Sequence, residues 1–435
     1  MQNYVHKMLR MHPDTFRATV NTVIMIAERN TEKEINDKHV CLMADLTNIS
    51  IHDDYERFIE VLHQTKGVGF ESGDALQCTS NPEYAIYYYP QTLIKTNSNL
   101  PFFVASPKLF ALMNDGSDKN KSQEIKWKTI AGRRIQVRNI KLNDKEIGIV
   151  KLGEVGAAPH GISTGDNKKY VRAKAETKGN YEIIEDWMIC PEPEIQQLSY
   201  HEKTTGLNKD WIKLDGCFVP FEKGGESDSN DGWLPNYYVP TQYYINWAKG
   251  AIIDMKKNPG SAWKNEAYFF KKGLTFSISG IYAPTFRLNS GGVFEAKGSG
   301  LFCDVMENET LLGLIASKFA KFVFKNYIKH SVDTSGDDIA SFILSEYKNE
   351  VLNLIKTYTL NIISNQKSNP RYDYASHEQI EIDKLVYETY GLNAEDVQEV
   401  EDWYARRYSR RSAAQKANLR ALGKRDDYLE LYGFK

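Results

Sequence analysis

The sequence has no closely spaced cysteines. Its five, Cys41, Cys78, Cys190, Cys217 and Cys303, lie far apart, which excludes a C-x-x-C zinc pattern and a disulfide framework and leaves reduced, mostly buried thiols as the reading. It has no run of about 18 apolar residues, the length a membrane-spanning helix needs. The opening MQNYVHKMLRMHPD has no apolar stretch of the secretory kind. A cytoplasmic protein with no membrane partner is the expectation. Nucleotide loops are lacking too: KGVGFESGD (66–74) holds only a lone Gly-x-Gly, and no Gly-Lys-Ser/Thr closes GGVFEAKGSG (291–300). His201-Glu202 has no second histidine at helical spacing, which excludes the helical zinc motif. Net charge is nearly absent, −2 from 55 basic and 57 acidic residues.

What is present is a globular chain of 435 residues, 41% hydrophobic, long enough for two or three domains with real cores. The charge balance hides segregation. EDWYARRYSRRSAAQKANLRALGKR (401–425) is strongly basic, and KFAKFVFKNYIKH (318–330) carries four lysines and no acid. Either patch can track a phosphate backbone or be a solvated helix face. Tyrosine, at 26, outnumbers phenylalanine, at 19. A ring with a polar tip suits wet interfaces and base contacts, and equally a β-sheet core.

The patterning divides the chain into three regions of an α+β protein. In 1–120, the apolar runs TFRATVNTVIMIAER (15–29) and HVCLMADLTN (39–48) predict two strands joined by the polar TEKEINDK (31–38). DDYERFIEVLHQT (53–65) predicts a short helix, and PFFVASPKLFALM (101–113) a small apolar unit. Nothing there completes a core by itself, so the region reads as the edge of something larger. In 121–305, alternating runs such as IKWKTI, RIQVRNIKL and IGIVKLGEV, broken by Asn-Asp, Gly and Pro, predict a mainly β domain, with a helix over TQYYINWAKGAIIDMKK (241–257). In 306–435, the three- and four-residue apolar spacing of ETLLGLIASKFAKFVFKNYIK (309–329) and the segments after it predicts helices. The last, 394–422, opens with acids and ends with bases, as a helix dipole favours.

Two motifs could carry chemistry of their own. NPEYAIYYYP (81–90) approaches the N-P-P-Y turn that holds a target amine in amino-methyltransferases, but Glu83 replaces the second proline. A turn entering an edge strand is the other reading of Asn81, Pro82 and Tyr84. Glu295-Ala296-Lys297 has the E-x-K form of a Mg²⁺-dependent nuclease. Residues 267–294 lack any acid, which leaves a salt bridge or a phosphate contact by Lys297 as the simpler reading.

GISTGDNKKYVR (161–172), WIKLDGCFVPFEKGGE (211–226) and GLTFSISGIYAPTFRLNSGGVFEAKGSGLF (273–302) together resemble the target-recognition region of large DNA adenine-N6 methyltransferases. These are the fused type IIG restriction–modification enzymes and the BREX phage-exclusion methyltransferases. ETLLGLIASKFAKFVFK (309–325) and IDKLVYETYGLNAEDVQEVEDW (382–403) resemble that family's following helices, and FRATVNTVIMIAER a late strand of its methyltransferase sheet. The resemblance implies an N-terminal edge segment of a methyltransferase α/β sheet with its connector, a central mainly-β target-recognition domain, and a helical C-terminal domain. Cofactor-binding and catalytic segments are absent from the resemblance. It therefore implies a DNA specificity subunit, with no catalytic residue or cofactor of its own. S-adenosylmethionine would be held by a partner catalytic subunit that flips and methylates adenine, and further defence-system subunits could dock on the helices. For contact with double-stranded DNA, Lys168, Lys169, Arg172, Lys223 and Lys297 are the phosphate candidates and Asn167, Arg287 and Asn289 the base-edge candidates. Thr164, Arg406 and Arg410 complete the set, while Asp166 and Asn167 can equally build an Asx turn.

Overall fold

The computed structural model describes residues 3–16, 22–29, 39–65, 78–95, 105–113, 125–130, 132–177, 179–224, 233–280, 282–346 and 348–434. The polar segment 31–38, the Gly-x-Gly stretch 66–74 and residues 101–104 lie outside them. The described residues form a mixed α+β fold with four small sheets. Among the described residues no helix is long and apolar enough to cross a membrane.

The first sheet contains β1 (Asn3–Arg10), β2 (Val23–Arg29), β3 (Val40–Asp45), β4 (Thr79–Ser80) and β5 (Ala85–Pro90), in the order β2-β1-β3-β5-β4. The two predicted apolar strands are therefore not neighbours. β1 lies between them, antiparallel to β2 and parallel to β3. Its own pattern, NYVHKMLR, interrupts the apolar signal with His6, Lys7 and Arg10, yet Val5, Met8 and Leu9 are buried. In β3, Cys41 and Met43 face the main core while Leu42 and Ala44 pack under α1 (Tyr55–Gln64) with Phe58 and Val61. This alternation explains its continuous apolar sequence, since a strand covered on both faces needs apolar residues at every position. The equally apolar β2 is exposed along its whole length, with Val23, Ile24, Met25 and Ile26 at 44, 36, 52 and 50%.

A second sheet joins β6 (Ile125–Ile130), β7 (Arg133–Leu142) and β8 (Lys145–Lys151) to β18 (Ile343–Ser345) from the far end of the chain. The Asn-Asp punctuation between β7 and β8 is a tight turn in which Asn143 and Asp144 both have positive φ, 49° and 62°, as a two-residue hairpin requires. The pairing of β8 with β18 carries this hairpin across the boundary drawn at 305.

The remaining β structure forms two more sheets, β9 (Gly156–Ala157) with β14 (Leu274–Phe276), β15 (Phe286–Leu288) and β17 (Gly300–Cys303), and β10 (Val171–Ala173) with β11 (Glu182–Ile183), β12 (Phe218–Glu222), β13 (Tyr243–Asn246) and β16 (Val293–Phe294). The latter builds its own core around Trp247, Phe221, Phe269 and Phe294, against helix Lys249–Lys257. The predicted helix over 241–257 is thus a strand followed by a helix.

The C-terminal helices are α4 (Asn308–Ile315), α5 (Lys318–Val323), α6 (Asn349–Ser368), α7 (Glu378–Thr389), α8 (Ala394–Arg407) and α9 (Ser409–Ala421), numbered after α1, the short α2 (Asn167–Tyr170) and α3 (Lys249–Lys257). The long helix expected over 309–329 is interrupted at Ser317, whose side chain caps α5 by accepting from the Ala320 amide. The helix expected over 394–422 is likewise split at Tyr408.

Candidate nucleic-acid interface

The three segments singled out for DNA contact meet at one carboxylate. β16 lies parallel to β12, and Ile162 bridges Glu295 on the other side, so 161–167, 221–224 and 293–298 form one seam. The Glu295 Oε1 accepts from Lys223 Nζ at 3.0 Å and from Asn167 Nδ2 at 3.2 Å. Thr164 Oγ1 donates to Asn167 Oδ1 at 2.7 Å, which fixes the amide orientation. Asp166 caps α2 by accepting from the Lys169 amide at 3.2 Å. The loop thus uses its Asx chemistry to shape itself, and Asn167 is a tie between loop and sheet.

Close backbone approach explains the glycines of this seam. A Cβ at Gly298 would stand 2.7 Å from both the Glu222 carbonyl oxygen and the Gly224 amide nitrogen. Only glycine lets the two loops lie on each other in this way.

The cations divide into two groups. Lys168 and Lys297 are exposed, and Lys169 is about half exposed, paired with Asp254 and lying 5.2 Å from the Tyr170 ring. Lys168 and Lys297 present charge outward from the seam, and Lys169 shares its charge with Asp254. Lys223 is mostly buried, 5.3 Å and 5.5 Å from the rings of Tyr181 and Tyr243. Burial, the largest single influence, lowers the affinity of its amine for a proton, but the charge of Glu295 and the hydrogen bonds to Tyr181 and Glu295 together outweigh that and hold it above its ordinary value.

Four candidates turn inward. Thr164 is buried in the loop. Arg172 donates to the carbonyls of Lys168 and Val171 and pairs with Glu182. Arg287 donates to the Lys223 carbonyl at 2.8 Å, and burial pushes its guanidinium below its ordinary value, with Glu222 opposing. Asn289 is a turn residue, accepting from the Gly273 amide at 3.0 Å and donating to the Lys271 carbonyl. In the structure these side chains make contacts within the fold itself, and the Arg287 Nη1 is buried with no hydrogen-bond partner.

Most of the basic side chains of the C-terminal segments are likewise engaged with the fold. Arg406 is buried, donating to Ser80 Oγ, to the carbonyls of Asn81 and Tyr84 and to Tyr87 Oη, so it fastens α8 to the first sheet. Arg420 and Arg425 pair with Asp426 and Glu430. Lys318, Lys321 and Lys325 are buried on the inner face of α5 and its π-helical continuation, and Lys329 pairs with Asp338. Arg410 remains exposed on α9.

The two motifs with chemistry of their own are also occupied. Asn81 Oδ1 accepts from the amides of Glu83 and Tyr84, Arg406 takes the Asn81 carbonyl, and Glu83 pairs with Arg57. The oxygens that would hold a target amine are already accepting, so the turn does not fit a methyl-transfer site. Glu295 serves Lys223 rather than Lys297, and among the described residues no three His, Cys, Asp or Glu side chains group as metal ligands. A cavity of about 840 Å³ lies elsewhere, between β5, Ser106–Lys108 and α8. Its wall carries Glu395, Asp396, Glu399 and Asp402 together with Lys108, which pairs with Asp396 at 2.7 Å. Burial pushes the Glu399 carboxyl up to about 8.

Reading from sequence missed Glu222, Asp254, Tyr181 and Tyr243. Glu222 stood inside a quoted motif, and its acceptance of the Ser290 amide at 2.7 Å depends on a partner 68 residues away. No protein-family model matches the chain, and no curated protein matches it.

Proposed function

We propose that this chain is the DNA sequence-recognition subunit of a split DNA adenine-N6 methyltransferase of a restriction–modification or phage-exclusion system, acting in the cytoplasm. It holds duplex DNA while a partner polypeptide, carrying S-adenosylmethionine, methylates a flipped adenine. The observation that carries this reading is the seam at Glu295. Three segments distant in sequence are tied together there, and Lys168, Lys169 and Lys297 face outward from it. The exposed apolar β2 supports the second polypeptide, because a strand apolar on both faces suits the interior of a larger sheet.

The lysines would meet phosphates and set register, and base readout would fall to neighbouring loops. The Lys168/Lys169/Lys297 triple alanine variant is expected to weaken duplex binding uniformly across sequences. Its plot of log affinity against log salt should flatten by about 0.9 for each phosphate no longer neutralised. An unchanged slope in fluorescence-anisotropy titrations at several salt concentrations would remove the seam from the interface. The test omits Arg172, whose loss would damage the fold instead.

A further inference from the structure

A concave site apart from the seam lies between the first sheet and α8. Its cavity of about 840 Å³ is walled by β4 and β5, by Ser106–Lys108 and by one face of α8. Glu395, Glu399 and Asp402 recur on that face at four and three residues, about 6 Å and about 4.5 Å apart along the helix axis. A second cavity, of about 270 Å³, shares Gln398 and Asp402 with it and carries Asp426 and Asp427.

Cations of the fold do not balance this wall. Lys108, alone basic among the described lining residues, is taken by Asp396 at 2.7 Å. Arg406 lies behind the wall and gives its donors to Ser80 and to the carbonyls of Asn81 and Tyr84. Glu399 Oε1 is buried with no hydrogen-bond partner among the described residues. Burial pushes the Glu399 carboxyl up to about 8 and Asp396 adds to the rise, although Ser106, Arg406 and Tyr87 all favour its anion. Cys78 and Tyr327 also face it. Asp402, 4% exposed, is pushed up to about 6 by burial and by Glu401, against Gln398, Arg406 and Lys416. Carboxyls held in this way gain most from a cation that arrives with donors of its own.

Between the carboxyls the lining is aromatic or apolar, from Tyr88, Pro107, Ala394 and Leu429. Among the described residues no three His, Cys, Asp or Glu side chains group as metal ligands, so spaced carboxylates with apolar surface between them fit an organic cation. We propose that this cavity binds a linear aliphatic polyamine of the spermidine class, with its ammonium groups at Glu395, Glu399 and Asp402 and its methylenes along Tyr88, Pro107 and Leu429. Aminopropyl and aminobutyl spacers separate charges by about one helical turn, as α8 separates these carboxylates. Glu399 ionises to meet the ammonium, and near pH 7 its proton passes to solvent.

Calorimetric titration of the full chain, free of DNA, with spermidine, putrescine and magnesium chloride tests it. One site is expected, with spermidine at least about tenfold tighter than putrescine, the worth of one further charge-assisted contact. At pH 7 the heat should vary with the ionisation enthalpy of the buffer, as proton release requires. Glu399→Gln and Asp402→Asn keep the side-chain shape and are checked by circular dichroism. Each should weaken spermidine by at least about tenfold, and Glu399→Gln should remove the buffer dependence. Affinity unmoved in both folded variants, or Mg²⁺ displacing spermidine at equal concentration, overturns the site, since either marks a diffuse cation atmosphere. A trilysine peptide binding more tightly than spermidine overturns the polyamine in favour of a protein partner. The Lys168/Lys169/Lys297 variant should bind spermidine unchanged, so this site and the duplex-binding seam fail separately.

Discussion

Glu295 is about one-eighth exposed, with Lys223 at 3.0 Å on one side and Asn167 on the other. Truncating it strands a mostly buried ammonium among Tyr181, Tyr243 and Phe221. Glu295→Ala should therefore cost about 2–3 kcal/mol in urea denaturation. A Glu295→Leu/Lys223→Met double variant should recover most of that, because it removes both charges together. A double variant no more stable than Glu295→Ala would show that the pair does not hold the seam. The same contrast explains which cations sequence could assign. Lys297 sits in a glycine-rich loop and Lys168 on the short α2 that follows one, and both face solvent. Arg172, Arg287 and Arg406 look identical in sequence to surface arginines, yet Arg287 and Arg406 spend donors on carbonyls from other segments and Arg172 on the carbonyls just before it and on Glu182. Nothing local distinguishes an arginine that reads phosphate from one that ties two elements together.

Helix α5 shows how an element's apolar period can be right while its charges mislead. Lys318, Lys321 and Lys325 recur at three and four residues along α5 and its π-helical continuation, interleaved with Phe319, Phe322 and Phe324, and all lie inside. Lys318 meets Glu401, whereas Lys325 donates to the Ser331 carbonyl at 2.9 Å. Burial, with Arg407 and Arg10 adding to it, lowers Lys325 to about 7. Between pH 7 and its ordinary value of 10.5, the unfolded chain binds more protons at this position than the folded one, so stability rises with pH there. The slope from one such group is at most about 1.4 kcal/mol per pH unit. Lys325→Met should raise stability at pH 7 and flatten the rise between pH 7 and 10 in denaturant titrations. An unaltered slope would mean that Lys325 is charged in the fold. The strands make a parallel point. β2 and β3 have nearly the same apolar composition, and one is fully exposed while the other is buried on both faces. Periodicity identified both as strands, but what covers a strand lies beyond its own residues.

On the scale of the molecule, the first sheet is fastened to the helical region by Arg406 on one flank and left open along β2 on the other. Met25→Lys/Ile26→Lys changes one residue on each face of β2. In the isolated chain it should alter unfolding by less than about 0.5 kcal/mol, as exposed positions do. Size-exclusion chromatography with the catalytic polypeptide should show loss of co-elution. A variant that unfolds the isolated chain, or one that still co-elutes, would count against β2 as the seam between subunits.

The sequence by itself determined the α+β class, the short helix after residue 53, the β7–β8 hairpin through its Asn-Asp turn and the existence of the glycine-rich loops, because periodicity and turn chemistry are local. Only the tertiary structure decided that β1 separates the two apolar strands, that β18 returns to β8, and that Asn167, Lys223 and Glu295 form one cluster. It also decided which arginines face inward. Those outcomes depend on contacts across tens to hundreds of residues, where burial and pairing are set by the partner segment and leave no mark in the local pattern.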